Sequence, residues 1–259
     1  MTRLLKSVAW TVLSLVALGL GAQLLFSVNR ALPPRDPGTL RVASYNVHWI
    51  WLGGTEGSWT PSDWATRKLS LDGAVKALDA DIIAFQEMES FARGADRTQN
   101  LAKAYLLAEN PGFAAAASGD PGAFPSTQPI FYRPDVLTLV DEGWFFFSDT
   151  PDVIYSRTFN GGWPAFASWA AFRAVDGGAV FRVVNVHTDF ASFGNRLGAA
   201  ALVRDRVAPW IDDGIPVMVV GDLNAMRGTP TLRRIEAAGI RFLHQRGATF
   251  HADRGLHLF

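Results

Sequence analysis

Four residues that end an apolar run, Gly221-Asp222-Leu223-Asn224, carry the sharpest chemical signal in the sequence. Val217, Met218, Val219 and Val220 precede them and read as a buried strand whose polar residues begin where it ends. Side chains alternate faces along a strand, so Asp222 and Asn224 are expected to point the same way. A carboxylate beside an amide can take a proton from a water that the amide orients, or hold a phosphoryl oxygen. The same Asp-x-Asn spacing also closes strands as a simple turn, and the motif alone does not choose between the two.

Three further strand ends break the tie. Arg41-Val42-Ala43-Ser44-Tyr45-Asn46 delivers Asn46, and Ile82-Ile83-Ala84-Phe85-Gln86-Glu87 delivers Glu87. A hard cation such as Mg2+ takes oxygen ligands, often one or two carboxylates with waters, so Glu87 with Asn46 would supply such a set. Val183-Val184-Asn185-Val186-His187 places Asn185 and His187 on one face, and a histidine there can stabilise a phosphate intermediate or shuttle a proton near neutral pH. Singly, each is equally a turn former, a solvated residue or a structural histidine. Four polar strand ends in one chain point to a shared site.

The elements that must position them alternate between strand-like and helix-like periods. Residues 40–47, 81–87, 130–132, 137–140, 167–172, 180–186 and 216–220 read as strands. Thr60-Pro61 reads as a helix start, followed by Leu71, Ala74, Val75 and Leu78 on one face. Residues 96–109 form a second expected helix, and Leu197, Ala200, Ala201, Val207 and Ile211 mark a third that Gly214 ends. Thr229-Pro230 caps a short last helix stopping near Gly239. Several strands lack helices between them, so mixed sheets with outer helices fit better than a doubly wound parallel sheet.

Taken in order, these motifs resemble the endonuclease/exonuclease/phosphatase (DNase I-like) superfamily, from about Leu40 onward. The resemblance rests on Ser44-Tyr45-Asn46, Gln86-Glu87, Ile130-Phe131-Tyr132-Arg133, Asn185-Val186-His187 and Gly221-Asp222-Leu223-Asn224. It implies a four-layer α/β sandwich of two mixed sheets with outer helices, behind an N-terminal hydrophobic helix. It further implies Mg2+ (or Mn2+) on Asn46 and Glu87, catalysis by His187, Asp222 and Asn224, and substrate contacts from Asn185 and Tyr132. The implied reaction is metal-dependent hydrolysis of a phosphodiester. An anchored phosphomonoesterase and an impaired binding module that keeps the fold are the alternatives. The family's terminal Asp-His pair is not matched: His257 follows Leu256 rather than an aspartate, and His251 and Asp253 are the only polar substitutes nearby. The pair is expected beyond Phe259, or else replaced by Leu256-His257.

Composition bounds the partners. The 259 residues hold 24 basic and 24 acidic side chains, a balance that weighs against a grip on long nucleic acid, and no cysteine, which excludes disulfides and thiolate chemistry. Arg3 and Lys6 precede an uncharged run over residues 7–28, about the length that spans a bilayer. Residues 1–30 therefore read as a membrane anchor or a signal segment, 31–39 as a proline-rich linker and 40–259 as the catalytic domain, which lacks its C-terminal end on the reading that puts the Asp-His pair beyond Phe259. Either reading puts that domain outside the cytoplasm, on the membrane or secreted, with a lipid headgroup or nucleic acid supplying the phosphodiester. No protein partner is implied. Trp49, Trp51, Trp59 and Trp64 fall on a loop at the expected rim, to stack on substrate, meet a membrane or pack the loop; Trp144, Trp163 and Trp169 are assigned to the core.

Overall fold

The computed structural model describes residues 2–26, 32, 34–57, 59–91, 99–125, 127–157, 159–161 and 163–243. Helix α1 (Thr2–Phe26) belongs to the first of two compact units, and its window Leu5–Ala22, of mean hydropathy 1.6, is long and apolar enough to cross a membrane, with none of it buried. Residues 35–241 form the second unit. Its elements run β1 (Val42–Asn46), β2 (Ile50–Trp51), α2 (Pro61–Leu78), β3 (Ile82–Gln86), β4 (Ser90–Phe91), α3 (Leu101–Glu109), β5 (Ala114–Ala116), β6 (Ile130–Tyr132), β7 (Leu137–Phe146), β8 (Phe166–Ala174), β9 (Phe181–His187), α4 (Phe193–Asp212), β10 (Val217–Asp222) and α5 (Pro230–Glu236).

Two four-stranded mixed sheets result, in the orders β1-β3-β6-β5 and β10-β9-β8-β7, beside a two-stranded ribbon of β2 and β4. The period of two sorts β3 between two cores. Ile82 and Ala84 pack with Ile130, Ala170, Phe172 and Val183, so this layer lies between the sheets. Ile83 and Phe85 join Leu71 and Val75 of α2 and Leu106 of α3 on the other side. Each fully buried side chain of this size stabilises the fold by roughly 1.5–3 kcal/mol. On the second sheet's outer face, Trp169 of β8 meets Trp210 of α4 at 5.3 Å, with the Arg182 guanidinium over both rings.

Local chemistry fixes the helix ends. The Thr60 hydroxyl accepts the Asp63 N–H at 3.1 Å, Pro61 starts α2 with a preset φ, and Asp79 ends it in the left-handed region. Buried Asp72 accepts from Lys76 and from Asn110, the C-cap of α3, which pins the two helices together. Pro230 begins α5 as expected, although the Thr229 side chain makes no capping bond.

Some expectations need correction. β7 does not stop at Val140 but runs on to Phe146 through a bulge between Leu139 and Asp141, with Asp141 exposed and the half-buried Glu142 carboxylate accepting the Ala117 N–H at 2.6 Å. α3 begins at Leu101 with Asn100 as its cap, and residues 96–98 lie outside the described ones. β5 is three alanines, residues of low strand propensity that the sheet recruits by pairing with β6. Trp163 is not core: it is 74% exposed.

Candidate active site

Parallel pairing makes strands end together. Asn46, last in β1, pairs with Gln86, last in β3, while Asp222, last in β10, pairs with His187, last in β9. One polar pair comes from each sheet, and the facing of the sheets brings the pairs into contact. The Asn46 amide joins them: its Nδ2 donates to Glu87 Oε1 at 2.9 Å and to Asp222 Oδ2 at 3.1 Å. His187 Nε2 lies 3.7 Å from Glu87 Oε1.

Glu87 sits one residue past β3 at φ 54°, a left-handed turn that costs a non-glycine residue about 1 kcal/mol or more and persists where surroundings over-determine it. His48 Nδ1 lies 3.5 Å from Oε2 and the Trp49 N–H donates to the same oxygen at 3.4 Å. Burial pushes the Glu87 carboxyl upward, but hydrogen bonds from His48 and Asn46 and the neighbouring His187 outweigh it and hold the pKa at about 2.

Asn224 reaches the site by another route than alternation. β10 ends at Asp222, and Asn224 lies in the left-handed region (φ 43°) with its backbone N–H bonded to Asp222 Oδ1 at 2.9 Å. Its side-chain amide donates to Thr188 O at 2.9 Å, and the Thr188 hydroxyl donates to Leu223 O at 2.5 Å. The motif is thus a strand-closing turn that also presents its carboxylate to Asn46. Gly221 permits the close approach behind it: φ is 135°, and a Cβ there would lie 1.9 Å from Val186 O.

Two expected substrate residues are placed elsewhere. Asn185 shares with His187 the face turned to the first sheet, but its amide is fully buried. Nδ2 donates to Phe85 O at 2.7 Å and Gln128 O at 3.2 Å, and Oδ1 accepts from Gln86 Nε2 at 2.7 Å. Gln128 extends this network by donating to Phe166 O and Asn185 O, and the Ser168 hydroxyl donates to Gln128 O. Asn185 therefore joins the two sheets beneath the cluster. Tyr132 pairs with Ile82 at the opposite end of β3, about 16 Å along the strand from Glu87, with its ring 5.1 Å from Phe172.

The Asn185→Leu variant should be destabilised by about 1–3 kcal/mol, because Phe85 O loses its side-chain donor in the interior, while Gln86 Nε2 keeps Ala84 O and Gln128 O keeps the Ser168 hydroxyl. Urea unfolding measures this, and an unchanged midpoint would show the amide to be energetically idle.

The rim tryptophans pack against their own loop. Trp49 and Trp59 stack at 5.4 Å and 19°, His48 lies against both, and Trp64 is buried on α2. His48, Gln86, Gln128 and Arg67 escaped the sequence reading; only Gln86 had a signal, its place beside Glu87 in the motif. His251, Asp253, Leu256 and His257 lie outside the described residues.

Whether the cluster suits a divalent cation is a matter of its donors. Among the described residues no group of three or more His, Asp or Glu side chains is arranged to hold a metal ion. Two carboxylate oxygens, from Glu87 and Asp222, nonetheless converge on one amide within 3.1 Å. Two anionic oxygens beside an amide, without thiolates, fit a hard cation such as Mg2+ or Mn2+.

Comparisons with known proteins agree with this fold. The Endonuclease/Exonuclease/phosphatase family matches residues 43–256. A solved family protein from Bacteroides thetaiotaomicron is 27% identical, covering 76% of this chain and 68% of that one, with a TM-score of 0.63. A mannosyl-6-phosphatase from the same organism is also 27% identical, over 78% and 71% of the two chains, with a TM-score of 0.64. A conserved protein of unknown function from Enterococcus faecalis, 24% identical over 76% and 71%, shares the fold at a TM-score of 0.61. No curated protein matches the chain.

Proposed function

Because the chain belongs to the endonuclease/exonuclease/phosphatase family, we propose that it is a divalent-cation-dependent phosphoester hydrolase acting at Asn46, Glu87, His187, Asp222 and Asn224. The supporting observation is the Asn46 amide, held between the Glu87 and Asp222 carboxylates at 2.9 and 3.1 Å. Glu87, with Asn46, would hold Mg2+ or Mn2+. When bound, the cation supplies Lewis acidity and offsets charge growing on the phosphoryl oxygens.

The rest is done by side chains. Asp222 orients the attacking water and takes its proton. Asn224, fixed by its bonds to Asp222 and Thr188, offers an amide to a phosphoryl oxygen. His187, 3.7 Å from Glu87, donates to the phosphate or its leaving oxygen.

A phosphodiester is the first substrate reading. The balanced charge of the chain argues for a compact molecule or lipid headgroup over long nucleic acid. A phosphomonoester is the second reading, favoured by the similarity to the mannosyl-6-phosphatase. Helix α1 is read as an anchor or a signal, holding or delivering the domain outside the cytoplasm.

The test is hydrolysis by the purified full-length chain in mild detergent with Mg2+ or Mn2+. Bis-p-nitrophenyl phosphate, sphingomyelin and plasmid DNA are set against p-nitrophenyl phosphate and mannose 6-phosphate. Chelation should abolish turnover, and Glu87→Ala should lower it about a hundredfold or more. Turnover that survives both would remove the assignment, and a preference for monoesters would select the second reading.

A further inference from the structure

The loop that follows Asn46 is held by a side chain distant in sequence. The Arg67 guanidinium, projecting from α2, donates from Nη1 to Val47 O and from Nη2 to His48 O at 2.8 Å and Trp49 O at 3.3 Å. Arg67 is itself aimed by Asp63 one turn earlier, which accepts from Nε at 2.8 Å, and its guanidinium lies 5.2 Å from the centre of the Trp64 ring. A planar fork of donors can bridge three consecutive carbonyls in this way; an ammonium cannot.

The loop held in this way presents several groups to the site. Asn46 Oδ1 accepts the His48 N–H at 3.0 Å, which orients the amide so that Nδ2 faces both carboxylates. The Trp49 N–H and His48 Nδ1 both face Glu87 Oε2. His48 takes φ 59°, a left-handed conformation that a non-glycine residue keeps only under constraint. The three clasped carbonyls belong to His48 and its two neighbours, so the constraint is applied where the strain is.

We propose that Arg67 is a positioning residue for the cation site, setting the placement of Asn46 and Glu87 through the backbone of residues 47–49. Its hydrogen bonds go to the Asp63 carboxylate and to the backbone carbonyls of residues 47–49. The inference rests on the proposed hydrolase reading, and its test separates the two.

Isothermal titration of Mn2+ into the full-length chain, without substrate, gives the affinity directly. Loss of an outer partner of this kind weakens metal affinity by about ten- to a hundredfold. Arg67→Met should therefore weaken Mn2+ binding at least about tenfold. Arg67→Lys should fall between it and the parent, and added methylguanidinium should restore part of the affinity in Arg67→Met. Lys68→Met, on the same helix, should bind as the parent does.

If the parent binds no Mn2+, the metal-dependent reading fails and takes this inference with it. If Glu87→Gln abolishes binding while Arg67→Met and Arg67→Lys bind within twofold of the parent, the hydrolase reading stands and the role of Arg67 is overturned. Loss of the fold in both Arg67 variants likewise overturns it, leaving Arg67 a structural residue.

Discussion

Asp222→Asn should lower kcat about a thousandfold while leaving the chain folded. The substitution is isosteric, so the turn bond from the Asn224 N–H can persist on Oδ1. What changes is the second oxygen. In the parent it accepts from Asn46 Nδ2 at 3.1 Å; an amide nitrogen there would face that donor with another donor. The stability loss from one such mismatch is about 1–2 kcal/mol. Removing a general base, by contrast, costs about 100- to 10,000-fold in rate, or some 3–5 kcal/mol of barrier. The catalytic effect should therefore dominate. Initial rates on bis-p-nitrophenyl phosphate at saturating Mn2+, beside a thermal melt, measure both. A drop smaller than tenfold would show that Asp222 does not take the proton.

Gly221→Ala should have the largest effect on stability, about 4 kcal/mol or more. Two independent obstacles add. At φ 135° an L side chain is strained by about 1–3 kcal/mol whatever the space around it. The space is absent as well: the new methyl would meet Val186 O at 1.9 Å and Val186 N at 2.7 Å, and both are backbone atoms of the paired strand. Relief requires β10 to move off β9, breaking the ladder that sets Asp222 opposite His187. For a unit of this size the melting midpoint should fall by about 10 °C or more. A midpoint within two or three degrees of the parent would contradict the placement of β10.

How far the site could be read in advance follows from which signals are local. Asn46, Glu87, His187 and Asp222 each close a short apolar run, and period-two alternation needs no distant residue to make that visible. Their order along the chain then carried the family resemblance and the fold. Asn185 looked the same, a polar residue near a strand end, yet its partners Phe85, Gln86 and Gln128 lie 57–100 residues away. Burial against a second sheet leaves no mark in the strand itself. Tyr132 fell in a motif, but which end of the sheet it occupies depends on the antiparallel pairing of β6 with β3. Asp141 and Glu142 masked the second half of β7, and the alanines of β5 carry no strand preference. The clasp of Arg67 on three carbonyls depends on a left-handed residue at His48, and sequence periodicity does not report backbone handedness.

The hydrogen bond from Asn46 to Asp222 joins residues 176 apart in sequence. Closing so long a loop is entropically slow, and contacts of this separation form late in folding. As the chain is synthesised, β1 and β3 can pair long before β10 exists. Glu87 and Asn46 then spend that interval without the second carboxylate. Hydrolytic capacity should thus arise in one step near the end of folding, not grow with each element added. Recovery of turnover after dilution from denaturant should lag the recovery of helical signal and coincide with closure of the two sheets. A nascent or clipped chain lacking β10 would be inert toward phosphoesters in its surroundings, however native the remainder.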